Sequence, residues 1–140
     1  MRALGIDVGT VRVGLALSDP LGYTAQPLEV IKRTNPARDL EAVRRIVEEK
    51  QVDILVVGLP LNMNGTEGPA AEMARAFAAL LAPLELPVEF IDERTSSLMA
   101  DAVLVQADVS RAKRKQVRDK MAAAVLLQTW LDGRRQSRLT

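Results

Sequence analysis

Asp7 lies in the run Leu4-Gly5-Ile6-Asp7-Val8-Gly9-Thr10, a lone carboxylate near the end of an apolar strand and just before a second one. Burying an unpaired carboxylate is costly, so such a group is normally paired, hydrogen-bonded or bound to a cation. The glycine that follows lets another group, such as a phosphate, approach the backbone closely. The reading is a metal ligand in a phosphodiester-cleaving site, and the alternative is a turn aspartate held by local amides. A second candidate is Asp92-Glu93-Arg94-Thr95-Ser96. Strand side chains alternate, so only one of the two acids faces a given neighbour. The alternative is a polar strand end with Arg94 in a surface ion pair. A third is Asp119, followed by Ala122, Ala123, Leu126 and Trp130 at spacings of three or four along one helical stripe. The two alanines would let the helix sit close to a sheet and project Asp119 from its first turn over the strand ends. The alternative is an acid placed at a helix start by the macrodipole.

The chain has 0 His and 0 Cys, which rules out a thiol nucleophile, a Ser-His-Asp triad and a Cys/His zinc site. Carboxylates, Lys, Arg and hydroxyls remain, and clustered carboxylates favour Mg²⁺ or Mn²⁺. Three carboxylates from distant segments could bind one or two such ions. A pair ~3.5–4 Å apart activates water and stabilises the leaving oxygen of an in-line phosphoryl displacement. That chemistry needs neither His nor a nucleophilic side chain.

Charge is unevenly spread. Residues 111–140 hold nine Lys/Arg against two acids, a net +7, while the other 110 residues hold ten against sixteen, a net −6. Arg111, Lys113, Arg114, Lys115, Arg118 and Lys120 lie beside Asp119, where a phosphate backbone would have to pass. The alternative is a solvated basic tail. Thr10, Arg12 and Arg94 could position the scissile phosphate. Aromatics make up 3% and none falls in the basic run, so recognition by backbone and shape is expected rather than base stacking.

The elements that must position these groups follow from periodicity. At 140 residues, 48% hydrophobic and 26% charged, the chain reads as one globular domain, 1–140. No apolar stretch approaches the ~20 residues of a membrane span, and Asp7 interrupts any signal-peptide core, so a cytoplasmic protein is expected. Residues 2–8 and 11–18 read as a hairpin, 24–32 as a third strand, and Asn35-Pro36 as a helix start with Leu40, Val43, Ile46 and Val47 at helical spacing. A buried parallel strand is expected at 52–58, then a loop from Leu59 to Gly68 and a helix over 69–82. That helix should bury Ala70, Met73, Ala74, Phe77, Leu80 and Leu81. A strand at 87–91 and a helix from Thr95 to about residue 106 follow, then a polar, mobile stretch at 107–114. The last helix is expected over about 115–132, apolar nearly all round from Met121 to Leu131 and so buried, and stopped by Gly133. This order suggests an α/β fold: a five-stranded mixed sheet, its first three strands antiparallel, with helices on both faces. Ligands in such sheets sit outside the carboxyl ends of strands, near which Asp7 and Glu93 both lie.

Taken in order, several motifs resemble the YqgF/RuvX family of RNase H-like nucleases, the family linked to pre-16S ribosomal RNA. They are Gly5-Ile6-Asp7-Val8-Gly9-Thr10 with Arg12-Val13-Gly14; Ser18-Asp19; Val57-Gly58-Leu59-Pro60-Leu61-Asn62 with Asn64-Gly65; Asp92-Glu93-Arg94-Thr95-Ser96; and Asp119 with Ala122-Ala123 and Leu126-Leu127-Gln128. The resemblance is nearly full-length. It implies an RNase H-like fold and a metal-dependent nuclease acting on structured nucleic acid, with 5′-end maturation of pre-16S rRNA as the family role. It also implies Asp7, Glu93 and Asp119 as the acidic triad. The choice of Glu93 as ligand, with Asp92 as its support or a surface acid, rests mainly on it. Arg118 and Met63 depart from the expected pattern without touching the triad.

Other readings differ in class. One is a Holliday-junction resolvase, expected to act as a twofold dimer, whereas rRNA trimming sets no requirement between monomer and homodimer. Another is a non-catalytic RNA-binding assembly factor that keeps the acids. A phosphotransferase of the actin, Hsp70 and sugar-kinase type would need a second domain to close around ATP.

Overall fold

The computed structural model describes residues 1–92 and 111–139, with side chains over 1–92 and 119–134. Among the described residues there are five strands: β1 (Ala3–Val8), β2 (Arg12–Ser18), β3 (Ala25–Lys32), β4 (Ile54–Leu59) and β5 (Val88–Asp92). The described helices are α1 (Pro36–Lys50), α2 (Pro69–Leu80) and α3 (Arg111–Leu139), with a 3-10 turn at Ala82–Leu84. The sheet order is β3-β2-β1-β4-β5. β1 pairs antiparallel with β2, and β2 with β3, while β4 runs parallel to both β1 and β5. This is the mixed sheet expected from the sequence.

Local chemistry sets the turns. The Gly9 amide donates to the Arg12 carbonyl at 2.8 Å, and a Cβ at Gly9 would lie 2.6 Å from that same oxygen, so only glycine closes the β1–β2 turn. The Asp19 carboxylate accepts from the Tyr23 and Thr24 amides at 2.7 and 2.9 Å and closes the β2–β3 turn. Asn35 caps α1 through its side-chain oxygen, which accepts from the Arg38 amide at 2.9 Å, and Pro36 follows in the first turn.

The two faces of the sheet are built differently. On one face Leu4, Ile6, Val13, Leu15, Leu55 and Val57 pack with Val43 and Ile46 of α1 and with Ala74 and Phe77 of α2. On the other, Ala3, Ala16, Ile54 and Val56 meet Ala123, Leu126, Leu127, Trp130 and Leu131 of α3. Gly5 and Gly14 belong to this second face. A Cβ at Gly5 would stand 2.9 Å from Leu127 Cβ and 3.0 Å from the Ala123 carbonyl oxygen. Small residues in β1 and β2 therefore let α3 lie almost on the sheet backbone.

Three expectations need correction. The last helix neither begins at 115 nor stops at Gly133 but runs from Arg111 to Leu139. Residues 111–114 are thus helical, as suits good helix formers such as Arg, Lys and Ala joined to an anchored helix. Gly133 is carried through because Arg134 lies over the Trp130 ring at 5.1 Å and Gln128 donates to Asp132 at 2.9 Å, contacts that hold the last turns around it. The helix is also not buried all round: Thr129 is exposed and Met121, Ala124 and Val125 are half-buried. In α2 the buried stripe is turned, with Ala71 and Ala78 inside and Ala70 exposed. The helix expected from Thr95 to about residue 106, and residues 107–110, lie outside the described residues.

Candidate active site

Asp7 is the penultimate residue of β1 and shares the α3 face with Ala3 and Gly5, two and four residues before it. It is half-buried. Its cross-strand partner is Gly14, about 5 Å away between α-carbons. Gly14 is where α3 comes closest. A Cβ there would fall inside contact with the Asp119 carbonyl oxygen, 2.6 Å from its carbonyl carbon and 3.3 Å from the Lys120 nitrogen. Asp119 is therefore seated one strand over from Asp7, on the same face and at the same level. Asp119 lies in the third turn of α3 rather than the first, so the macrodipole gives no account of its position.

The register fixes which end of the sheet this is. Ile6 pairs with Val57, and the next residue on β4, Gly58, pairs with Ile91 of β5. Asp7 and the end of β5 thus reach one edge, formed by the carboxyl ends of β1, β4 and β5. On β5, Glu89 accepts from the Trp130 indole at 3.4 Å and Ile91 packs with the α3 cluster. Val88 packs toward α1 and α2, and Arg75 of α2 lies over the Phe90 ring at 4.8 Å. Asp92 follows Phe90 in alternation, is exposed, and stands on the face opposite Asp7 and Asp119. Glu93 and Arg94 lie outside the described residues. Among the described residues no three acids converge into a metal-binding group. Two of the three expected acids, Asp7 and Asp119, are brought together.

The expected phosphate contacts divide. Thr10 is exposed at the tip of the β1–β2 turn, and Arg12 opens β2 on the α3 face, two residues before Gly14. Arg111, Lys113, Arg114, Lys115 and Arg118 all fall in the eight residues of α3 before Asp119. From Asp119 over Gly14 the helix descends to Ala123 and Leu127 over Gly5. Its first turns therefore continue ~12 Å in the other direction, past Gly14 toward the edge where Asp7 lies. Gly5 and Gly14 are site residues that the sequence reading passed over. Their signal was glycine inside a strand, at positions sharing a face with Asp7 once the hairpin register is drawn.

The chain matches the family model RuvX, described as "Holliday junction resolvase", over residues 1–133. A Moorella thermoacetica protein named "Putative pre-16S rRNA nuclease" is 54% identical over 133 residues, covering 94% of this chain and 95% of that one. A Symbiobacterium thermophilum protein of the same name is 55% identical over 135 residues, covering 96% and 94%. Among solved structures, T. thermophilus RuvC in complex with Holliday junction substrate matches with a TM-score of 0.59 at 18% identity over 96% of both chains.

Proposed function

The chain belongs to the RuvX family, and from that premise we propose that it is a divalent-metal-dependent nuclease that processes the 5′ end of pre-16S rRNA. The observation that carries this reading is the meeting of Asp7 and Asp119 from distant segments on one face, at the carboxyl edge of the sheet. A half-buried pair of acids seated this closely suits a cation, and their oxygens suit Mg²⁺ or Mn²⁺. Asp7 and Asp119, with Glu93 as third ligand, would hold one or two such ions. When bound, these lower the pKa of water and offset charge developing on the phosphate. The position of Asp92 on the opposite face favours Glu93 over it. Arg12 and Lys120 on this face, and the basic turns of α3 before Asp119, would bind and orient the phosphate backbone. We place this as one domain over 1–140 acting on cytoplasmic RNA. None of the described helices is long and apolar enough to cross a membrane.

A second reading, a resolvase of four-way DNA, is favoured by the family description and by the fold shared with RuvC. Cleavage by the wild type and by Asp7→Asn, with Mg²⁺ or Mn²⁺ and with chelator, tests both. Substrates are a pre-rRNA 5′-leader fragment and a four-way DNA junction. Asp7- and metal-dependent cutting of the RNA alone supports maturation. Paired cuts in the junction by a dimer support the resolvase. Binding without any cutting means an assembly factor.

A further inference from the structure

Beside the paired acids, on the side toward β3, lies a cleft of about 430 Å³ lined by Val11, Arg12, Glu29, Val30, Lys32 and Lys120. Three cations converge on it from three elements. Arg12 and Lys32 stand directly opposite each other on β2 and β3. Like charges so placed are destabilising unless an anion lies between them. Lys120 reaches the cleft from α3, one residue after Asp119. Arg12 Nη1 is sealed from solvent and has no hydrogen-bond partner among the described residues. A buried guanidinium N–H without an acceptor is expensive, and a turn of the side chain into the cleft would bring it to a bound oxyanion. The one acid among the described residues of the cleft, Glu29, is engaged by Arg45 of α1 at 3.5 Å.

We propose that this cleft holds a non-scissile backbone phosphate of the nucleic acid, next to the one that is cut. By strand geometry the Arg12 α-carbon lies roughly 8 Å from that of Asp7, one strand over and two residues along. A chain with its scissile phosphate at Asp7 and Asp119 then runs across β2 toward the β3 edge, beneath the Lys120 turn of α3. Lys32 and Lys120 become positioning residues for the path of the strand. The chemistry required is a singly charged phosphodiester, with no demand on base identity, so the subsite sets direction and not sequence. This inference deepens the nuclease reading and rests on it for the identity of the neighbouring phosphate.

The test uses Lys32→Gln with Lys120→Gln in the full chain, beside Lys50→Gln as control. Lys50 ends α1, where its carbonyl accepts from Arg2, at the other end of the sheet. Affinity for the RNA leader fragment is measured by anisotropy as salt is raised, and Asp7-dependent cleavage is scored on the same preparations. The double variant should bind at least tenfold more weakly, with its log–log salt slope reduced by about one, while Lys50→Gln matches the wild type. An unchanged slope in protein that still cuts overturns the cleft and leaves the nuclease standing. A reduced slope in protein that never cuts keeps the cleft as a backbone site and removes the nuclease. Absence of any salt-dependent binding overturns the cleft.

Discussion

Gly14→Ala places one methyl group between β2 and α3, and its effect can be worked from the geometry. The new Cβ would stand 2.6 Å from the Asp119 carbonyl carbon, whereas ordinary contact begins at 3.4 Å. The Asp119 carbonyl oxygen stands closer still, so the backbone there must retreat by at least about 0.8 Å, the difference for the carbon alone. It cannot slide inward elsewhere, because the helix already lies so close to Gly5 that a Cβ there would stand 2.9 Å from Leu127 Cβ. Overpacking of this kind costs about 1–3 kcal/mol. A domain of ordinary stability, about 5–15 kcal/mol, stays folded after such a loss. The rate should suffer more, since a displacement near 1 Å at a reacting group can cost on the order of 100-fold. Urea unfolding gives the first number, and single-turnover cleavage at 25 °C, where both proteins are folded, gives the second. Wild-type stability and rate would refute the seating of α3 on Gly14. Lost stability with an unchanged rate would keep the seating and remove Asp119 from the chemistry.

Three further outcomes are expected. Gly133→Ala sits mid-helix with nothing among the described residues within 4 Å of the new methyl, so it should stabilise by about 0.8–1 kcal/mol and leave cleavage unchanged, read as a higher urea midpoint. Ser18→Ala removes the buried hydroxyl that accepts from the Ala3 amide at 2.8 Å, at a cost of about 1–3 kcal/mol; a loss below about 0.3 would show that the amide finds another acceptor. The Thr24 amide, opposed by a smaller desolvation effect and aided by Tyr23, holds the Asp19 carboxyl below its ordinary 3.8. A lowered folded value adds stability above the ordinary one and loses it as pH falls through the lowered one. Asp19→Ala should thus lower the thermal midpoint at pH 7, and the gap from wild type should narrow as pH drops below 3.8.

Much of this was legible in the chain because the signals were local. Alternation in β1 and β2, the Gly9 turn and the Asn35-Pro36 cap each depend on a few adjacent residues, and they gave strands and a helix start close to those observed. Asp7 stood out because a carboxylate interrupts an apolar strand. The ends of α3 were misjudged for a different reason. Gly133 reads as a stop signal, and only contacts such as Arg134 over Trp130 show why the helix passes it. The role of Gly14 was hidden because it depends on Asp119, more than 100 residues away. The cleft was hidden for the same reason: Lys32 and Lys120 look like ordinary surface charges until register and helix docking bring them to Arg12.

The contact that completes the paired acids also sets when they can exist. Ala25 donates to Gln128 across 103 positions, and Tyr23 accepts from it across 105. β1 and β2 can pair early, as a local hairpin, but α3 docks only after nearly all the sheet has been made. During synthesis Asp7 thus spends most of its time without Asp119. A chain still being translated lacks the pair proposed as its cutting centre while it is held against the machine whose RNA it is proposed to trim. Activity would switch on with the last folding step, as a consequence of the order in which the two acids are encoded.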